Sequence, residues 1–457
     1  MRLEADTEKN RDHPDDRDFQ SDREQLEQIA DETSEDKLDE AIRTGLQRGT
    51  VRRRKQLRGC RGVQTLLAVM CGLMLLTAFV RLSPGFAALL REIPGFGGFV
   101  TFIERDQTLN LAINNRFVQP VNLSDERNGY KLTVQGIIAD EQRLVILFSG
   151  EGPGITRSTQ MGDYQLTRAD GEQLGGSISF GFSYLVSEES KDKPGLYDMF
   201  DVNLMNGYAM PDQVRLELKL GEEMLSVDIT VDKSRFEHLT ETVEIHESFE
   251  MDGLRFELEK AIITPLQTRI IFTEDPSNKA RLNHFVNAAL IDEKGRRMTP
   301  TGGFGSSSLL FHSPYFDKPK RLTFTADGVL SSEKGKKLVI NTETGQTLET
   351  PDQRVRLEGP AENGSFKITL NGLTQPESLL GYWVIEPRAS FTDALGRTHQ
   401  LADFPGTRTT IAIQPTETGA NAWAYYDLPY EDFAQPLTFE VYQYPHYQER
   451  PIAVDIK

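Results

Sequence analysis

NGYKLTVQGIIADEQRLVILF, residues 128–148, has a second copy in the chain, DGLRFELEKAIITPLQTRIIF, at residues 252–272. Each copy starts with a turn dipeptide, alternates apolar and polar residues, passes through a short turn and ends in a second apolar run. This pattern predicts two antiparallel strands joined by a tight connection. Two extra residues in the second turn are expected to align Arg269 with Arg143.

A weaker third copy, NGSFKITLNGLTQPESLLGYWVI, begins at Asn363, and each copy is followed by a closing strand: LSVDITV, KKLVIN and IAVDIK. Repeats of about 110–125 residues with many turn signals are typical of tandem β-sandwiches. The chain is therefore predicted to be mainly β, with three tandem Ig-like β-sandwich domains at residues 118–236, 240–345 and 350–457. One large β domain is the alternative.

The charge balance excludes one class of partner. The 457-residue chain has a net charge of −18, whereas binding to a nucleic-acid backbone requires a surplus of Lys and Arg. No nucleic-acid partner is therefore expected. Residues 51–62, in contrast, carry six basic and no acidic side chains: Arg52, Arg53, Arg54, Lys55, Arg58 and Arg61.

An uncharged apolar run, GVQTLLAVMCGLMLLTAFV, follows this basic cluster directly. Its length matches the hydrocarbon core of a bilayer, about 30 Å thick, and predicts a transmembrane helix over residues 63–80. Because basic residues mark the cytoplasmic end of a span, residues 1–62 are predicted to be cytoplasmic and the later domains extracytoplasmic. A cleavable signal peptide is the alternative, but the charged region before the run is too long for one. The protein is thus expected to be a single-pass protein of the cell membrane, with the lipid bilayer as a partner.

The two cysteines, Cys60 and Cys71, lie at the edge of the predicted span and inside it. The long part after the span therefore contains none. A secreted eukaryotic protein of this size usually carries disulfides. Their absence is typical of a bacterial extracytoplasmic protein.

The cytoplasmic tail is predicted to begin with a disordered segment and to form an amphipathic helix near residues 35–50. Leu38, Ile42 and Leu46 recur at four-residue spacing after Ser34, a good N-cap residue. One narrow apolar stripe cannot bury itself, so these three residues form a candidate partner-binding helix. A helix along the membrane surface and a helix continuous with the span are the alternatives.

The segment after the span, residues 83–117, is more apolar than a water-exposed linker. SPGFAALLREIPG predicts a short helix that begins at Ser83 and ends before Pro94. The residues assigned to this juxtamembrane joint are Ser83, Pro84, Phe86, Leu90, Ile93, Pro94 and Gly95. The apolar surface continues through Phe99 and Ile103 to Leu109 and Ile113. We expect a collar in the outer membrane interface that is partly docked on the first sandwich; a helix simply packed on that sandwich is the alternative.

No pattern of catalytic or metal-binding residues is present. The seven histidines are scattered, without a pair at metal-ligand spacing, and H-E-x-x-H, G-x-S-x-G and Walker motifs are absent. The chain is therefore expected not to be an enzyme and to need no cofactor. An aromatic-rich stretch at residues 421–447 is typical either of a sugar-binding platform or of ordinary sandwich cores and edges.

A series of motifs resembles a known family. The basic cluster and the apolar run are followed by S-P-x-F-A-x6-P-G-x-G from Ser83 to Gly97, by FVQPVN at residues 117–122 and by the repeat at residues 128–148. Over residues 35–350 the chain resembles single-pass membrane proteins of Gram-positive bacteria that carry an extracytoplasmic domain of unknown function followed by an Ig-like uncharacterised domain. This family is anti-sigma-factor-like.

The resemblance implies a transmembrane regulator whose cytoplasmic segment binds an extracytoplasmic-function sigma factor and whose outer β domains sense envelope state. The alternative is a cell-envelope interaction protein. Its β-sandwiches would bind wall polymer or another envelope protein, and its tail would act only as an anchor.

Overall fold

The computed structural model describes residues 96–99, 103, 106–180, 190–305, 307–362, 364–401, 411–429 and 432–457. The predicted tail helix, basic cluster, transmembrane helix and joint residues Ser83–Gly95 lie outside these ranges. Within them, no helix has the length and hydropathy to span a bilayer. The described residues all belong to one compact unit.

Helices are a minor part of the described chain. Helix α1 spans Gln107–Asn114, and short 3-10 helices lie at Phe96–Phe99, Lys233–Arg235, Tyr315–Asp317 and Glu377–Leu379. All other regular elements are strands in antiparallel sheets. The prediction of a mainly β protein is confirmed.

Domain 1 consists of two sheets that enclose one apolar core. The first has the strand order β1 (Gln119–Arg127), β2 (Tyr130–Ala139), β3 (Arg143–Glu151), β6 (Leu196–Leu204), β5 (Gly176–Phe180). The second has the order β4 (Tyr164–Arg168), β7 (Gln213–Leu220), β8 (Glu223–Thr230). Alternation on β7 and β8 buries Leu216 and Leu225 in the same core as Phe148 and Phe200 of the first sheet.

Domain 2 repeats this topology. Its first sheet has the order β9 (Glu241–Met251), β10 (Leu254–Ile263), β11 (Thr268–Glu274), β16 (Ser308–Phe311), β15 (Pro300–Phe304), which is the order of the first sheet of domain 1. The second sheet contains β12 (Ala280–Val286), β13 (Ala289–Asp292), β14 (Arg297–Met298), β17 (Leu322–Glu333) and β27 (His446–Asp455).

The strand that completes domain 2 comes from the far end of the chain. β27 pairs with β17 from Thr323↔Asp455 to Ser331↔His446, as β8 pairs with β7 in domain 1. Ile452, Val454 and Ile456 are buried in the core of domain 2. Domain 2 therefore consists of residues 241–333 together with residues 446–457.

Domain 3 is inserted between β17 and β27. One sheet has the order β19 (Gln346–Glu349), β18 (Lys337–Asn341), β26 (Leu437–Glu440), β22 (Ser390–Thr392), β23 (Thr398–Gln400). The other has the order β20 (Val355–Leu357), β21 (Ser365–Leu373), β25 (Gly419–Asp427), β24 (Ile411–Thr416). A separate core, from Leu338 to Val441, lies between them.

The domain limits thus differ from the predicted 240–345 and 350–457. KKLVIN, expected to close the second domain, is β18 of domain 3, and IAVDIK, expected to close the third, lies in domain 2. The two segments alternate in the same way, and alternation specifies which face of a strand is buried, not which strand it pairs with.

The repeated hairpins of the first two domains are closely similar in structure, whereas the third copy differs from them. The turn hydrogen bond from the Asp140 N–H to the Arg143 carbonyl has its counterpart in the bond from Thr264 to Gln267, both 2.9 Å. Gln267, not Arg269, is therefore the equivalent of Arg143, and the expected two-residue shift is wrong. In the third copy β21 pairs with β25, and residues 381–385 form no strand but pack into the core.

Candidate functional site: a junction between helix α1 and the first two domains

Helix α1 is held at its first turn by an aspartate. Asp106 is the N-cap residue, and its Oδ1 accepts hydrogen bonds from the backbone N–H groups of Thr108 (2.8 Å) and Leu109 (3.0 Å). These bonds satisfy two of the donors that a helix leaves free at its start. Its Oδ2 accepts a hydrogen bond from Nη2 of Arg143 at 2.6 Å. The start of α1 is therefore tied to the β2–β3 turn of domain 1.

Arg143, the first residue of β3, connects three parts of the molecule. Its Nε and Nη2 donate to the Asp201 carboxylate on β6 at 2.9 and 2.7 Å. Its Nη1 donates to the backbone oxygen of Leu266, in the β10–β11 turn of domain 2, at 3.3 Å. Only 7% of Arg143 is exposed. A guanidinium presents several donors in one plane, so a single side chain can link α1, domain 1 and domain 2.

Asp140 makes a second link to the same turn of domain 2. It is fully buried between β2 and β3, and its Oδ1 accepts hydrogen bonds from the N–H groups of Gln142 and Arg143, both 2.8 Å. Its Oδ2 accepts from the N–H of Leu266 at 2.7 Å. Both backbone polar groups of Leu266 are therefore bound by side chains of domain 1.

Helix α1 also contacts domain 2 directly. Oγ1 of Thr108 lies 3.1 Å from Nδ1 of His312 and accepts a hydrogen bond from the N–H of Ser313 at 3.1 Å. Between the turns of the two domains, Nε2 of Gln267 donates to Oε1 of Gln142 at 3.2 Å. We call the set Asp106, Asp140, Arg143, Asp201 and Leu266 the coupling junction.

The two linking aspartates have opposite pKa shifts. Burial alone raises the pKa of Asp106, but the Arg143 cation and hydrogen bonds outweigh it and hold this pKa well below its ordinary value. For Asp140 burial is the larger effect and its pKa is raised, despite hydrogen bonds from backbone N–H groups. Because the pKa of Asp106 is depressed on folding, its contribution to stability is present at neutral pH and is lost as the pH falls through that depressed pKa.

The apolar surface that leads into α1 packs on the protein itself. Phe99, Ile103, Leu109 and Ile113 are each at most 1% exposed, and the rings of Phe99 and Tyr197 lie 5.4 Å apart between centroids. For these four residues the structure agrees with the packed helix that we considered as the alternative to a membrane collar.

The aromatic-rich stretch at residues 421–447 divides between core and surface. Tyr426 and Phe433 are buried in domain 3, whereas Tyr425 is 41% exposed. Trp423 and Tyr425 lie on the outer face of β25, where Nζ of Lys367 is 5.2 and 5.8 Å from the two ring centroids. Some of these aromatics therefore lie in a core, and others lie at a surface where a sugar could bind.

Sequence reasoning missed the coupling junction. Asp140 lies in the predicted turn and Arg143 directly after it, and neither is among the predicted site residues. Those residues, Leu38, Ile42, Leu46 and Ser83–Gly95, lie outside the described ranges. The repeat itself was a usable signal. A turn that recurs in two consecutive domains can contact its counterpart in the next domain. Over the described ranges, no group of three or more His, Cys, Asp or Glu residues could hold a metal ion.

Comparison with known proteins gives two partial family matches. A family model described as a domain of unknown function (DUF4179) matches residues 60–152, and one described as a family of unknown function (DUF5643) matches residues 240–370. No curated protein matches the chain. Asp106, Asp140 and Arg143 fall within the first match and Leu266 within the second, so the coupling junction joins the two matched regions.

One solved structure is similar over part of the chain. It is titled the crystal structure of the conserved domain protein from Bacillus anthracis, with 17% sequence identity and a TM-score of 0.35. The similarity covers 51% of this chain and 84% of that chain.

Proposed function

We propose that this protein is a membrane-anchored, anti-sigma-factor-like regulator. Residues 1–62 lie in the cytoplasm and bind an extracytoplasmic-function sigma factor through Leu38, Ile42 and Leu46. The Ig-like β domains lie outside the membrane and sense the state of the envelope. The chain between them crosses the bilayer once.

The observation that carries this proposal is the coupling junction. The chain that follows the proposed span enters α1 at Asp106, and this residue is ion-paired to a buried arginine that also contacts domain 2. Buried, mutually dependent polar contacts of this kind are made or lost together. A change in the placement of domain 2 on domain 1 would therefore alter the contacts at the start of α1. Through α1 it would reach the segment that leads to the membrane.

The absence of recognised catalytic motifs also favours a binding role. In the junction one guanidinium pairs with two carboxylates at once, an arrangement suited to holding elements together rather than to acid–base catalysis. The negative charge of the whole chain is compatible with a protein partner and not with nucleic acid.

A pull-down with the purified full-length protein tests the cytoplasmic part of the proposal. We expect the wild-type protein to retain a purified extracytoplasmic-function sigma factor of the same cell. Leu38→Asp together with Ile42→Asp should lower retention by about tenfold or more, since two charges in an apolar interface remove its burial energy.

The matched control is Thr44→Asp with Gln47→Asp. These residues lie on the opposite side of the predicted helix and add the same two charges. This variant should retain the sigma factor as the wild type does. Failure of the wild type to retain any sigma factor, or equal loss in both variants, would contradict the proposal.

A second candidate function, attachment to wall polymer, is favoured by the exposed aromatic face of domain 3. The exposed ring of Tyr425 and the partly buried ring of Trp423, next to a cation, offer stacking surfaces for sugar rings. Trp423→Ala with Tyr425→Ala should lower co-sedimentation of the protein with purified cell walls by about tenfold if this face binds them. Phe180→Ala, an equally exposed aromatic on domain 1, is the control and should have no effect. Equal binding by all three proteins would exclude this role for the face.

A further inference from the structure

A cleft of about 430 Å³ opens between domain 1 and domain 2. From domain 1 and the link to domain 2, its walls are residues 204–210, the turn residues Glu141 and Gln142, and Lys233, Phe236, Glu237 and Thr240. Three residues of domain 2 complete them: Thr242, Ile262 and Arg269. This volume lies within the usual range for sites that bind small molecules, about 300–1,000 Å³.

Arg269 is the unusual member of the lining. It is 2% exposed, and Nη2 donates to the backbone oxygen of Leu204 at 2.5 Å. Its Nε is buried and has no hydrogen-bond partner among the described residues. No described carboxylate forms an ion pair with Arg269. Arg143, by contrast, forms ion pairs with two carboxylates.

A buried arginine without a carboxylate costs free energy. Burial lowers the pKa of Arg269 to about 10, and the more distant Asp140 opposes this shift. The side chain therefore remains charged at neutral pH. A desolvated, incompletely paired cation is destabilising unless a bound anion compensates for it.

The rest of the cleft limits the kind of anion. Met205 and Tyr208 line the cleft and are 44% and 52% exposed, so a thioether side chain and an aromatic ring are accessible to a ligand. The cation Lys233 also lines the cleft but pairs with Asp212 at 2.6 Å. Two carboxylates, Glu141 and Glu237, line it as well. They repel a polyanion such as phosphate but can accept hydrogen bonds from an amino group.

We infer that the cleft between domains 1 and 2 binds a small monocarboxylate with an apolar body, of the class of apolar amino acids and short peptides, whose carboxylate pairs with Arg269. Its apolar part contacts Met205 and Tyr208. Since the cleft is lined by both domains, the ligand joins them at a second place besides the coupling junction. The inference stands whether or not the cytoplasmic tail binds a sigma factor.

Calorimetric titration of the purified full-length protein tests this site. The probes are L-phenylalanine, N-acetyl-L-phenylalanine, L-leucyl-L-alanine, phenethylamine and inorganic phosphate. We expect at least one of the three carboxylates to bind, and phenethylamine and phosphate not to. Arg269→Met, which keeps an apolar stem of similar shape, should weaken carboxylate binding by about tenfold or more while the unliganded protein melts no lower than the wild type.

Arg168→Met is the matched control, because Nε of Arg168 is also buried without a hydrogen bond, although it pairs with Asp170 at 3.6 Å, and because Arg168 lies on β4, outside the cleft. It should bind the carboxylates as the wild type does. Met205→Asp, at an exposed position, should weaken binding without affecting the fold, and so tests the site even if Arg269→Met fails to fold. The inference is overturned if no carboxylate binds, if phosphate or phenethylamine binds equally well, or if neither Arg269→Met nor Met205→Asp weakens binding.

Discussion

Replacing Arg143 by alanine is expected to lower the free energy of unfolding of domain 1 by about 3–5 kcal/mol, the usual cost of removing one partner from a buried ion pair. The variant leaves Asp106 and Asp201 close together, partly buried and without their shared cation. It also removes the donor to Leu266. The measurement is urea-induced unfolding combined with amide hydrogen exchange, in which α1 and residues 264–268 should lose protection.

Arg215→Ala is the matched control for this experiment. Arg215 forms an equally short pair with Asp228, at 2.7 Å, but both side chains are about half exposed. Solvent screens such a pair, so its loss should leave the unfolding midpoint and the protection of α1 nearly unchanged. If the Arg143 and Arg215 variants behave alike, the coupling junction does not hold α1 on the two domains.

Deleting residues 446–457 is expected to unfold domain 2 while domain 3 stays folded. The deletion removes β27 and with it Ile452, Val454 and Ile456 from the core of domain 2. At about 1.5–3 kcal/mol for each buried apolar side chain, the loss is comparable to the whole stability of a typical domain, about 5–15 kcal/mol. Limited proteolysis should then cut within residues 241–333 and spare residues 337–441.

Excision of domain 3 removes many more residues than deletion of β27 but should affect domain 2 much less. Residues 334–443 can be replaced by a short Gly/Asn linker, since the N–H of Tyr444 already donates to Oγ of Ser332 at 2.7 Å and the two chain ends are adjacent. Domain 2 should remain resistant to proteolysis in this variant. A domain 2 that survives the loss of β27, or unfolds with the excision of domain 3, would contradict the inserted arrangement.

The hairpins of the first two domains could be predicted from the sequence because local signals determine them. Asn128-Gly129 and Asp252-Gly253 start alternating runs, and both copies carry a bulge at equivalent places, near Val134–Gly136 and Leu258–Lys260. The same signals failed at residues 381–385. Apolar residues in that segment are buried without forming a strand, because tertiary packing overrides the preference for a strand.

The junction and the closing strands depend on contacts that are distant in sequence. Arg143 reads as an exposed turn residue until Asp106 and Asp201 are brought beside it by the fold. β18 and β27 have equivalent patterns, and only the position of β17 decides which of them completes domain 2. The alternation of apolar residues predicts which face of a strand is buried. It does not predict which distant strand lies beside it.

The insertion of domain 3 also sets an order of events during synthesis. Domains generally fold as units while the chain is being made, starting from the N-terminal side. Domain 2 departs from this order, because β27 is synthesised only after the whole of domain 3. Until then β17 presents an unpaired edge, a form of strand prone to wrong pairing. Domain 3 can therefore fold before domain 2 is complete. Its folding brings the two ends of the insertion together, which places β27 beside β17.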